Sequence, residues 1–142
     1  MLYTASDIAK YITNKCVDDF HPISNLQLQK IMYYIQHHFL THGSELFDDD
    51  FEAWKFGPVI PYVYSIYCGF GGTPINEKLE TQSIDSKVRN VVNNFVEKMR
   101  DMDPWFLVQQ THKPNCAWAL TYANGKGAYN VIDKDLIRTK AF

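Results

Sequence analysis

Five histidines, three cysteines and a run of three aspartates are the residues that could carry chemistry in this chain. His38 and His42 stand four apart, so on a helix they share a face, a spacing that metal sites use. With Asp48, Asp49 and Asp50 they could form the ligand set of a metal hydrolase. No HExxH pattern accompanies them. Both histidines fall near a helix C-terminus, where the dipole favours an imidazolium. Three like charges in a row read as a solvated loop, and this one lacks the glycine and bidentate glutamate of a calcium loop. His112 and Cys116, in THKPNCAW, could pair for thiol catalysis, but no signature surrounds either. A histidine hydrogen-bonded to a loop is the favoured reading. GFGG lacks the Lys-Ser/Thr of a phosphate loop. The sequence therefore predicts no catalytic residue, no metal site and no cofactor.

Composition narrows the classes further. The chain has 142 residues, is 46% hydrophobic and 21% charged, and carries a formal charge of −2. That length suits one domain with its own core, and the balance is globular rather than disordered. It does not favour a sequence-independent grip on nucleic acid, which needs clustered Lys and Arg. No apolar run approaches the roughly 20 residues that span a bilayer, and MLYTASDIAKYITNK has no apolar signal-peptide core. Cys16, Cys68 and Cys116 are odd in number and widely spaced, so reduced thiols are expected. Together these predict a cytoplasmic protein, with no membrane and no small-molecule substrate. With no repeats and no linker, residues 1–142 are expected to form a single, mostly α-helical domain of about five to seven helices with at most a short β-hairpin.

The elements that must position any site are legible from caps and periodicity. Thr4 and Asp7 form a capping box for a first helix whose apolar face holds Ile8, Ile12 and Cys16. Ser24 and Gln27 form a second box. After it, Leu28, Ile31, Met32, Ile35 and Phe39 mark a helical stripe, and Gly43 closes the helix. The opposite face carries Gln29, Lys30, Tyr33, Gln36 and His37. Residues 51–56 alternate, which allows an extended segment or hairpin. Pro61 suits the first turn of a third helix, with Val63, Ile66, Tyr67 and Phe70 facing inward. GFGGTPINEKLETQS is the longest irregular stretch and the expected mobile loop. A fourth helix is expected from about Asp85 to Met102, with Val88, Val91, Val92, Phe95, Met99 and Met102 on one side. A fifth follows Asp103-Pro104 through about His112, a helical turn spans Ala117–Tyr122, and Asp133 caps a last helix through Ile137.

EAWKFGPVIPYVY, residues 52–64, concentrates large side chains and stiff backbone without an obvious acid–base pair. Gly57 and Pro58 suit a rigid corner. Trp54 is large enough for either a core or an interface, and the core reading is favoured. Tyr62 and Tyr64 fall off the inward face of the third helix. An apolar ring with a wet hydroxyl suits an interface. Asn25, Gln29 and Lys30 either hydrogen-bond internally, across to residues 52–55, or meet a partner. The internal reading is favoured because buried polar groups must be paired. Tyr33, Gln36, His37, Tyr62 and Tyr64 are the expected partner contacts.

ISNLQLQKIMYYIQHHFLTHG, then LFDDDFEAWKFGPVIPYVY, then LVQQTHKPNCAW, together resemble the SocA-like antitoxin domain, also called Panacea. The resemblance runs in order over about residues 4–140. It rests on Asn25, Leu28, Gln29 and Lys30, on Ala53, Trp54, Gly57, Pro58, Val59 and Tyr64, and on Thr111, His112 and Trp118. Asn115-Cys116-Ala117-Trp118 departs from the small-Pro-Trp ending more usual in the family. The resemblance implies a mostly helical, non-enzymatic fold found in bacteria and their phages. Such domains neutralise a cognate toxin by direct binding, and some act as proteolytic adaptors. The alternative it leaves open is a phage-borne inhibitor of a host enzyme such as a CRISPR effector.

Overall fold

The computed structural model describes residues 2–142. Among the described residues, side-chain caps start five of the seven helices where the sequence places them. Helix α1 (Ala5–Asp18) begins with the Thr4 hydroxyl accepting the amide of Asp7. Helix α2 (Asn25–Thr41) begins on a complete capping box: Ser24 accepts the Gln27 amide, and Gln27 Oε1 accepts the Ser24 amide at 2.9 Å. Reciprocal caps of this kind satisfy two orphan donors at once.

Strands β1 (Glu52–Trp54) and β2 (Gly57–Val59) form an antiparallel hairpin that pairs Glu52 with Val59, Ala53 with Pro58 and Trp54 with Gly57. Pro61 occupies the first turn of α3 (Pro61–Tyr67). Helix α4 spans Ser86–Met99 on the Asp85 cap, and α5 spans Pro104–Thr111 on the Asp103 cap. Helices α6 (Ala117–Tyr122) and α7 (Lys134–Lys140) complete the chain. The fold is mostly α, with the one short hairpin expected among the described residues.

Helix α2 is the hub. It packs against α1, α3, α4, α5, α7 and β2. A helix surrounded on so many sides has no solvated face, so its polar residues must be paired inside. Asn25, Gln29 and Lys30 are buried, in line with the favoured internal reading, and Tyr33 and Gln36, expected as partner contacts, are buried as well. In α4, Val96 joins Val92 and Met99 in the core, a residue the expected stripe omitted, while Val88, Val91 and Phe95 are only half-buried. Helix α4 stops at Met99 rather than Met102, and α7 runs three residues beyond Ile137.

The long stretch between α3 and α4 has no regular structure beyond a 3₁₀ turn at Cys68–Phe70, but the core ties it down. Ile75 donates to the Ile23 carbonyl at 2.8 Å. The Asn14 amide clamps both backbone groups of Leu79, at 2.9 and 2.7 Å. No helix among the described residues is long and apolar enough to cross a membrane.

Candidate protein-binding groove

Three side chains on the first turns of α2 hold the hairpin and the start of α3 by their backbones. Asn25 Nδ2 donates to the Tyr64 carbonyl at 3.2 Å. Gln29 accepts the Ile60 amide at 2.9 Å through Oε1 and donates to Asn25 Oδ1 at 3.1 Å through Nε2. Lys30 Nζ donates to the Pro58 carbonyl at 3.1 Å. Asn25 and Gln29, four apart, share one face of the helix, and Lys30 follows on the adjoining flank. The expectation of internal hydrogen bonds is thus met, but by backbone groups of residues 58–64 rather than by residues 52–55.

Lys30 is wholly buried, and burial pushes its ammonium down to about 7. No carboxylate pairs with it among the described residues. Desolvation alone therefore sets its charge, because the charged form loses its water without gaining a counter-ion.

Gly57 lies over this lysine. Neither Lys55 nor Phe56 takes a positive φ, so the hairpin's left-handed residue is Gly57, at φ +115°. A Cβ there would stand 2.8 Å from Lys30 Cε and 2.9 Å from Thr111 Oγ1. Both the conformation and the space demand glycine.

The C-terminal motif residues fasten the other side. Trp118 Nε1 donates to the Trp54 carbonyl at 2.7 Å. The His112 ring bridges two carbonyls, with Nδ1 2.7 Å from Val108 O and Nε2 3.1 Å from Lys55 O, and it packs on Trp118 at 3.6 Å. Thr111 Oγ1 donates to the Val108 carbonyl at 2.8 Å, and Cys116 Sγ lies 2.9 Å from Thr111 O. His112 and Cys116 thus serve the hairpin's support, not each other.

On its outer side the braced hairpin opens a groove of about 330 Å³. Asn25, Gln29 and Lys30 form its floor. Trp54, Phe56, Tyr64, Trp105 and Tyr129 supply aromatic walls, with Lys55 among the lining residues. Phe56 stands edge-on to Trp105 at 5.3 Å, and Trp54 does the same with Tyr64 at 5.0 Å and Tyr129 at 5.5 Å. Phe56, Tyr64, Trp105 and Tyr129 remain exposed. Tyr129 takes φ +68°, costly for a bulky residue. Its amide and the Ala53 carbonyl bond at 2.8 Å, which holds the ring over Trp54. The lining contains no carboxylate, thiol or imidazole. An apolar, preformed concavity with a few polar floor groups is suited to binding.

The expected partner contacts fall in different places. Tyr64 is on the groove wall, and Tyr62, 62% exposed, lies on the free side of α3. Tyr33 and Gln36 are interior, a correction whose cause is the enclosure of α2. Tyr33 donates to Ala141 O at 3.4 Å, and the Gln36 amide spans Phe47 O and Leu46 N at 2.8 and 2.9 Å. His37 is half-buried, with Nδ1 2.9 Å from Ile137 O. The walls Phe56, Trp105 and Tyr129 were not anticipated. Trp105 and Phe106, both off the Leu107/Val108/Thr111 inward face of α5, were the available signal.

The remaining chemical candidates make local contacts. His38 and His42 stack at 4.1 Å. Asp49 accepts the first amide of α1 at 2.9 Å, and Asp50 pairs with Lys134 at 3.2 Å. No cluster of three or more potential metal ligands occurs among the described residues.

Buried polar pairs thus brace an aromatic groove on a helical module. The family of that module is shown by comparison: residues 28–119 match the model described as "Antitoxin SocA-like, Panacea domain", and the chain belongs to this family. It is similar to the antitoxin SocA of Caulobacter vibrioides (strain NA1000 / CB15N), with 31% identity over 136 residues, covering 87% of this chain and 72% of that protein. No solved structure matches.

Proposed function

We propose that this chain is a non-enzymatic antitoxin that neutralises a cognate toxin by direct protein–protein contact at the aromatic groove. The observation that carries the reading is convergence. Asn25, Gln29, Lys30, Trp54, Gly57, Pro58, Tyr64, Thr111, His112 and Trp118, scattered along the sequence, all build or brace one hairpin and the groove on its outer side. A preformed surface lowers the ordering cost of association. Trp and Tyr are the side chains that most often dominate interface energetics. On this reading the protein acts in the cytoplasm, with its three free cysteines reduced, and takes neither nucleic acid nor a small-molecule substrate.

The test is expression of the adjacent short open reading frame with and without this chain. The reading expects growth arrest by the neighbour alone, rescue on co-expression and co-purification of the two proteins. A harmless neighbour, with a host nuclease losing activity when the chain is added, would replace the toxin by a host enzyme. Pulse-chase of the toxin separates occlusion, which leaves its half-life unchanged, from adaptor delivery to a protease, which shortens it.

A further inference from the structure

The groove is electrically one-sided. Its lining holds two amines, Lys30 and Lys55, and no carboxylate. Neither lysine has an ion-pair partner among the described residues. The nearby acid in β1, Glu52, lies outside the lining and accepts a hydrogen bond from Trp54 Nε1 at 3.0 Å. Lys30 makes one hydrogen bond where an ammonium offers three donors. It has no exposed surface, so it cannot pair with an occupant directly. Lys55 is exposed, with Nζ 5.5 Å from the Phe56 ring centre, and can pair directly. Around these amines stand aromatic faces, one of them held in place by the strained Tyr129 backbone.

We propose that the groove takes an acidic segment of the partner protein, in which a carboxylate lies beside an aromatic or aliphatic residue. The apolar side chain fills the space between Trp105, Phe56 and Tyr64. The carboxylate pairs with Lys55 at the rim. This rests on the groove being the partner surface and specifies what it selects.

A display selection of random heptapeptides on the full-length chain tests it without knowledge of the partner. The expected result is enrichment of peptides with Asp or Glu next to a large apolar residue. An Asp→Asn or Glu→Gln change in the best peptide should weaken binding about tenfold. Selection on Lys55→Glu should lose that preference, and Trp105→Ala should lose the apolar one. Both positions are exposed, so both variants should fold, as thermal melts will show. Enrichment without acidic residues, no enrichment at all, an equal response to acetate alone, or concentration-dependent self-association occupying the groove would each overturn the proposal. Should the acidic preference fail while groove variants still lose toxin neutralisation, this inference falls and the antitoxin reading stands.

Discussion

Lys30 Nζ lies 3.1 Å from the carbonyl oxygen of Pro58, in the interior, with no carboxylate paired to it among the described residues. The pairing explains why the hairpin is stiff, and it attaches a pH dependence to folding. The folded-state value is about 7, against 10.5 for the ordinary side chain. Below pH 7 both states are protonated, and the full cost of burying charge applies. Between pH 7 and 10.5 the unfolded chain binds the extra proton, so stability rises with pH, at up to about 1.4 kcal/mol per unit. Urea denaturation at pH 6 to 9 should therefore show the wild type gaining on Lys30→Met as pH rises. Parallel curves would mean that the amine keeps its proton inside over this range, as it does in the unfolded chain.

Gly57 touches that same lysine. Alanine there forces a side chain onto φ +115° and into Lys30 and Thr111. Gly57→Ala should cost about 1–3 kcal/mol from backbone strain, with the clash added. Chemical denaturation checks this, and a change within about 0.5 kcal/mol, the usual range for a surface site, would contradict it.

Gln29→Met keeps the side-chain volume but leaves the buried Ile60 amide without its acceptor. The expected loss is about 1–3 kcal/mol. Hydrogen exchange at Ile60 should accelerate in the variant. An unchanged exchange rate would show that another acceptor takes over.

Tyr62 and Tyr64 make contrasting predictions. Tyr62 is open to solvent, so Tyr62→Ala should leave stability within about 0.5 kcal/mol. Tyr64 packs edge-on against Trp54 at 5.0 Å, and its loss should remove about 0.5–1.5 kcal/mol from that aromatic pair. The double variant should weaken partner binding beyond either effect on stability, as titration calorimetry can measure. Unchanged binding would move the interface away from α3.

What could be read from the sequence was what short-range physics decides. Ser24 with Gln27, Asp103 with Pro104, and Pro61 are local signals, and each marks a helix start in the structure. The burial of Lys30 and Gln36 was not legible, because it depends on six other elements closing around α2. The groove was not legible either. Trp54, Trp105 and Tyr129 belong to three distant segments, and only the folded chain brings them together. The motif residues carried the family resemblance, but most of them form the brace beneath the surface. The side chains on the outer rim, Phe56, Trp105 and Tyr129, lie outside that motif.

The central claim is that the groove is where the partner is bound. It is tested most directly by toxin neutralisation with Phe56→Ala/Trp105→Ala, a pair exposed at 47% and 53% and edge-on to each other. The double variant should melt within a few degrees of the wild type yet fail to rescue growth and fail to co-purify with the toxin. A variant that melts normally, rescues fully and still binds would contradict the account.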